Sequence, residues 1–299
     1  MPAFFNGIFG HKPTAGLVPN TGQLPPAWGR HDVYLCTGPM CRSAEDLAPL
    51  LSVLTGPEGA SRLRLGEPVR PAGLRVLYAE DDGGSPLVSP VHPELRTAMR
   101  NLLAGFRREF GVSAERVDLP ELYHSIDIWM AGMKAETAAP SFCSHLAGDQ
   151  GGEINPWWEL VKWCLSYSCH TLPALGLGLL EKGLSSAPDD HAHYLELGER
   201  LRNRLNSLLG EDGVLIYPSH STPAPYHSQP ILKTFNFAYT AVFNILGLPV
   251  TQVHGYTFYY QSGFFSVPYI VDYFPFLPFF SKTSLLFSPS FLSFAPSLI

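Results

Sequence analysis

A chain of 299 residues with 45% apolar and 15% charged side chains can enclose a large hydrophobic core, which excludes an intrinsically disordered protein. A formal net charge of −6, with no Lys/Arg-rich stripe, gives no basis for a nucleic-acid partner. The five cysteines, Cys36, Cys41, Cys143, Cys164 and Cys169, are odd in number and contain no CxxC pair. No metal site and no cofactor are therefore expected, and each thiol reads as a small buried apolar group in a reducing compartment.

The first residues carry no basic head followed by a continuous apolar run, so no secretory signal is read there. Up to about Gly38 the Pro- and Gly-rich sequence reads as loops laid over a scaffold. Ser43, with Asp46 three residues on, marks a helix start. Residues 74–80 (LRVLYAE) form a strand that ends in the turn residues 81–84 (DDGG). Residues 92–111 predict a helix with Pro93 in its first turn and Gly111 as its stop. Residues 114–119 follow as a strand, and 156–167 as a helix. Tyr194, Leu197, Leu201, Leu205 and Leu208 recur at helical spacing, with Gly210 ending that helix. Residues 213–219 read as a buried strand, 235–247 as a helix and 248–253 as a strand. Such alternation predicts an α/β fold, a sheet covered by helices.

Composition changes after residue 253. Residues 254–299 hold only Asp272 and Lys282 as charges and are dominated by Phe, Tyr, Ser, Leu and Pro. Pro268, Pro275, Pro278, Pro289 and Pro296 interrupt any helix, and no period persists. The apolar stretches are too short for a membrane-spanning helix, which needs about 20 residues. The domain reading is therefore 1–253 as the folded part and 254–299 as an irregular tail. Two origins of the tail remain open, translated pyrimidine-rich non-coding sequence and a membrane-surface anchor.

Several residues invite a chemical reading. Ser85 follows two glycines, but it sits in a turn before Pro86, and no GxSxG elbow occurs in the sequence. His191 and His193 are two apart, so on a helix they point away from each other and read as a solvated helix start. The glycines around Gly176 lack the strand and acidic partner of a phosphate cradle. Trp157, Trp158 and Trp163 read as core packing, with a lipid or acyl channel as the alternative. Cys36 has no histidine near it in sequence and reads as a buried thiol.

A set of ordered motifs carries more weight. Pro2, Ala3, Gly7, Gly10, Lys12, Pro13, Thr14, Gly16 and Pro19, followed by Gly38, Pro39, Met40, Cys41, Arg42 and Asp46, keep the spacing of the amidase-signature family. Residues 215–219 and 235–252 resemble its late segments. Over residues 1 to about 252 the chain resembles that family, and in detail the branch that cleaves fatty-acid amides into fatty acid and amine. The resemblance implies a partial amidase-signature fold, a mixed β-sheet flanked by helices. It also implies a fatty-acid amide or acyl chain as partner, membrane-surface contact, membrane association, and a homodimer among the expected assemblies.

The same resemblance implies no catalytic residue in this chain. The family's Ser–cis-Ser–Lys triad lies upstream of the position that is Pro2-Ala3 here, and Lys12 takes the place of a structural lysine. Ser85 lacks the Arg two positions on that follows the family's nucleophile. After Gln252 the match is lost. The expectation is thus a piece of an amidase, inactive alone, with no assigned substrate-binding residue. The alternative is a non-catalytic acyl-lipid-binding or subunit-pairing protein.

Overall fold

The computed structural model describes residues 1–255 and 265–271, apart from positions 24, 25, 28, 66, 68, 69, 137, 138, 149, 150, 186–190, 227 and 228. The described elements in chain order begin with α1 (Pro2–Phe5), β1 (Phe9–Lys12), α2 (His31–Tyr34), β2 (Met40–Cys41) and α3 (Leu47–Arg62). Next come β3 (Arg75–Tyr78), α4 (Pro93–Phe110), β4 (Glu115–Arg116), α5 (Ser125–Lys134) and α6 (Phe142–Ala147). The chain continues through α7 (Pro156–Cys164), α8 (Leu172–Ser185), α9 (His191–Leu209), β5 (Gly213–Ile216), α10 (Gln229–Leu232) and α11 (Ala238–Ile245). The last described strands are β6 (Val250–Gly255) and β7 (Phe265–Val271).

The strands form one mixed sheet in the order β2-β1-β6-β7-β5-β3-β4. β3 runs parallel to both β5 and β4, whereas β1, β2, β6 and β7 pair antiparallel with their neighbours. Period-two alternation sends successive side chains to opposite faces and so divides the core. Leu77, Leu215 and Tyr217 join the layer containing Leu122, Ile128, Leu201, Leu205 and Val242, contributed by α5, α9, α11 and the turn before α5. Val76, Val214 and Ile216 join Phe9, Leu47, Met99 and Phe106 on the other face, under α3 and α4. All four residues of β5 are buried, as expected of a strand covered on both faces. Each such Leu or Ile contributes about 1.5–3 kcal/mol by leaving water.

Local signals set several boundaries. α4 begins at Pro93, preceded by His92, whose ring accepts from the Glu94 N–H at 3.4 Å, and it ends at Gly111 with φ +70°. In α9, Leu197, Leu201, Leu205 and Leu209 are buried while Leu208 is half-buried, so the apolar stripe takes the next residue at its end. The helix expected at Ser43 starts instead with one tight helical turn, Ala44–Asp46, whose Ser43 makes no side-chain cap bond, before α3. The strand expected over 114–119 shortens to β4, and the expected 235–247 helix opens as a tight turn over Thr234–Phe237 before α11.

Two corrections concern element content. The early stretch expected to be loops supplies β1, an interior strand between β2 and β6. Phe9, Gly10 and His11 are buried there, and the strand is recognisable only through its distant partners. The glycine-rich stretch around Gly176 lies inside α8. Within the stretch expected to be irregular, β7 takes a place between β6 and β5. Its period-two apolar set, Phe265, Val267, Tyr269 and Val271, is broken to the eye by Pro268, which stands opposite Gln252 and offers no N–H to that rung. Residues 256–264 and 272–299 of the expected tail lie outside the described residues.

Candidate substrate-facing site

In open α/β sheets, ligands meet the crevice beyond the carboxyl ends of the parallel strands. In this chain that end is formed by the segments following β3 and β5, and it gathers buried polar groups. After β3, the Asp81 and Asp82 side chains each accept a backbone N–H two residues on, from Gly83 at 3.0 Å and Gly84 at 3.1 Å. Both glycines hold φ +85°, a conformation that side-chain-bearing residues rarely adopt. This explains why two glycines close the turn. Arg96 of α4 braces the turn from outside, reaching Glu80 at 3.2 Å and Asp81 at 2.7 Å.

Tyr239 of α11 meets the turn from within. Its hydroxyl accepts from the Asp82 N–H and donates to Asp82 Oδ1, both at 3.3 Å. Its ring stacks on Tyr217 with centroids 5.2 Å apart. Asp82 Oδ2 and Tyr217 Oη are buried without a hydrogen-bond partner among the described residues. Burial raises the Asp82 pKa above its usual range, and the nearby Asp81 charge adds to the shift. Burial also raises both tyrosines, with Tyr217 well above the ordinary phenol value. Asn236 ties the next segment down, accepting from the Ser89 N–H at 2.8 Å and donating to Ser89 Oγ at 3.2 Å.

After β5, three consecutive polar residues are buried. Ser219 donates to Gln252 Oε1 on β6. His220 packs edge-on against Phe5 at 5.0 Å, with Nδ1 2.8 Å from the Thr222 carbonyl oxygen. Burial lowers its pKa, with the chain's amino terminus and Lys233 pushing the same way against the Thr222 hydrogen bond. Ser221 Oγ is fully buried and unpartnered among the described residues, while its carbonyl accepts from the His92 N–H at 2.7 Å. Beside this loop, His11 of β1 lies with Nδ1 2.9 Å from Thr251 Oγ1.

The arrangement offers hydroxyl, imidazole and carboxyl groups within an apolar frame, which suits holding a partly polar ligand. Among the described residues, neither Ser219 nor Ser221 is hydrogen-bonded to a lysine or histidine. Ser219 is committed to an amide side chain, and Ser85 sits in a turn closed by the Val88 N–H bond to its carbonyl. Lys12 donates to the Pro13 carbonyl at 3.2 Å and lies 3.8 Å from Cys36 Sγ. Burial lowers its pKa, and the Cys36 sulfur opposes that shift.

The other residues singled out by sequence fall elsewhere. His191 and His193 occupy the first turn of α9, His193 against the Tyr194 ring at 5.2 Å. Of the thiols, Cys143 is buried, Cys36 and Cys41 are half-buried, and Cys164 and Cys169 are exposed, which corrects the expectation of uniform burial. The tryptophans are a second correction. Trp157, Trp158 and Trp163 are 65%, 61% and 42% exposed rather than packed in the core. The reason is that α7 buries only Pro156 and Glu159, its Asn155 cap accepting from the Trp157 and Trp158 N–H groups at 3.0 and 3.3 Å.

Asp82, Tyr217, Tyr239, His220, Ser221 and Asn236 were not anticipated from sequence. The available signal was a polar triplet, 219–221, separated by two residues from a fully apolar strand, and a tyrosine on the apolar face of a helix.

Comparison with known proteins bears on the family and the fold. The family model described as Amidase matches residues 1–257. Fatty-acid amide hydrolase 2 of Homo sapiens is 47% identical over 255 residues, covering 84% of this chain and 48% of its own length. Fatty-acid amide hydrolase 2-A of Danio rerio is 46% identical, over 84% of this chain and 47% of its own. A glutamyl-tRNA(Gln) amidotransferase subunit of Thermus thermophilus is 27% identical, over 83% and 53%. The chain spans about half the length of these curated relatives. Among solved structures, the corresponding glutamyl-tRNA(Gln) amidotransferase subunit of Thermotoga maritima superposes with TM-score 0.65 at 17% identity, over 96% of this chain and 60% of its own. A fatty acid amide hydrolase superposes with TM-score 0.57 at 17% identity, over 95% and 53%.

Proposed function

This chain belongs to the amidase family, and from that premise we propose that it is the substrate-holding part of an amidase that splits fatty-acid amides into fatty acid and amine. The observation that carries the choice of substrate is the 47% identity to a fatty-acid amide hydrolase, against 27% to a component of a glutamyl-tRNA amidotransferase. In this reading the segments after β3 and β5 line the substrate cleft. Their apolar frame, Phe4, Val88 and Val91 with the half-buried Phe5, takes the acyl portion, and the buried hydroxyl, imidazole and carboxyl groups meet the polar end.

The 299 residues themselves supply no nucleophile segment of the family's kind. The Gly83-Gly84-Ser85 run is followed by Leu87 where the family carries arginine. Without an activated serine and its base, little of the rate enhancement survives. The purified chain should therefore show no turnover of a long-chain acyl amide, yet should melt several degrees higher with added fatty acid, since binding to the native state alone stabilises it. Turnover that tracks with the chain through purification would overturn the inactive part of the reading. An unchanged melting temperature would overturn the acyl-binding part.

A lipid surface as the place of action is supported by α7 and the turn after it. Trp157, Trp158, Val161, Trp163, Leu165, Tyr167 and Leu172 are all exposed, which is unusual for so large an apolar group. Tryptophan and tyrosine favour the boundary between acyl chains and water. No described helix is long and apolar enough to cross a membrane.

A further inference from the structure

Two of the five thiols lie in the open, and both fall in one short stretch. Cys164 closes α7 and Cys169 sits in the turn that leads to α8. Unpaired cysteine is ordinarily among the most buried of residues, so two exposed thiols five positions apart call for a reason. Their surroundings are the second observation. Leu165 and Tyr167, between them in sequence, are 62% and 81% exposed, and Trp157, Trp158 and Trp163 of the adjoining α7 are exposed as well.

The turn that carries them is held in place. The Tyr167 N–H donates to the Lys162 carbonyl at 2.8 Å, and the Ser166 N–H to the Trp163 carbonyl at 2.9 Å. Ser168 Oγ donates to Glu159 Oε2 at 2.8 Å, and the His170 N–H to Ser168 Oγ at 3.2 Å. Glu159 is itself buried and paired with Lys162, which, foremost among its contacts, holds its carboxyl below the usual range. Ser166 takes φ +64°, a strained value for a side-chain-bearing residue. The thiol of Cys169 is thus presented on a fixed turn.

We propose that Cys164 and Cys169 are sites of S-acylation by a long-chain fatty acyl group, which fastens the α7–α8 region to a lipid surface. The proposal rests on the lipid-surface reading of α7 given above. The donor is a fatty acyl-coenzyme A thioester. The cysteine sulfur attacks its carbonyl carbon, a new C–S bond forms to the protein, and the C–S bond to coenzyme A breaks. Coenzyme A leaves as a thiol with the proton the cysteine gives up, and nothing is oxidised or reduced. One acyl chain holds a protein to a bilayer only reversibly, so a chain combined with an interfacial aromatic surface makes a stable pair of signals.

The test expresses the full chain in eukaryotic cells fed an alkyne-tagged palmitate, followed by peptide mapping. The expected result is a hydroxylamine-labile label on Cys164, Cys169 or both, and none on Cys36, Cys41 or Cys143. The Cys164→Ser/Cys169→Ser double variant should lose the label and several-fold of its membrane-bound fraction. Both positions are exposed, so its melting temperature should match that of the unaltered chain. No label, a hydroxylamine-resistant label, or thiols recovered only after reduction overturns the proposal. The unacylated chain, made in bacteria, is separately sedimented with phosphatidylcholine vesicles. Vesicle binding without acylation in cells leaves the surface reading standing and removes this one. Labelling without vesicle binding supports acylation and removes the intrinsic lipid affinity.

Discussion

His11 is a base enclosed between strands, and burial pulls its pKa from 6.5 down to about 3, with the Lys12 charge as the lesser cause. The folded protein therefore keeps the ring neutral where the unfolded chain protonates it. Between those two values the unfolded state binds more protons, so stability falls as pH falls below 6.5. The slope approaches about 1.4 kcal/mol per pH unit, or about 2 kcal/mol between pH 6.5 and 5. Asp82 works in the opposite sense, because its raised pKa makes the folded state hold a proton longer as pH rises. Comparing the chain with a His11→Asn variant cancels Asp82, which both share. Urea midpoints of the unaltered chain should fall on acidification relative to the variant. Parallel curves from pH 7 to 5 would rule out a neutral, enclosed His11.

At the scale of elements, the loop before β2 comes directly against the backbone of β1. The His11 N–H donates to the Pro39 carbonyl at 3.0 Å, and a Cβ on Gly38 would stand 1.8 Å from the His11 carbonyl oxygen. That obstacle is backbone, which cannot swing aside. Gly38→Ala should cost on the order of 2–3 kcal/mol in urea unfolding, and a change below about 0.5 kcal/mol would refute the close approach. In contrast, Gly73 meets nothing within 4 Å, so Gly73→Ala serves as the control. Elements whose signals are local were legible from sequence. Pro93 and Gly111 bracket α4, and the leucines of α9 repeat at helical spacing. β1 was not legible, because Phe-Gly-His-Lys has no β-branched residue and takes its meaning from partners near residue 250. The exposure of α7 was missed for a related reason. A run rich in tryptophan looks the same whether it faces a core or a lipid surface.

Taken whole, the family was readable from the spaced motifs of the first 46 residues, whereas the candidate site was not. Its central contact joins Asp82 to Tyr239, 157 positions apart, and no local pattern links them. The same long reach governs how the molecule can be made. β1 is an interior strand, flanked by β2 on one side and by β6 on the other, with Gly10 opposite Gln252. During synthesis at about 5–20 residues per second, β1 waits about 12–48 seconds for that partner to leave the ribosome. Through that interval one edge of β1 is open, and the Thr251 hydroxyl that His11 meets does not yet exist. Until that partner arrives this edge stays open to mispairing, and a chaperone that shields residues 9–12 over the interval should raise the yield.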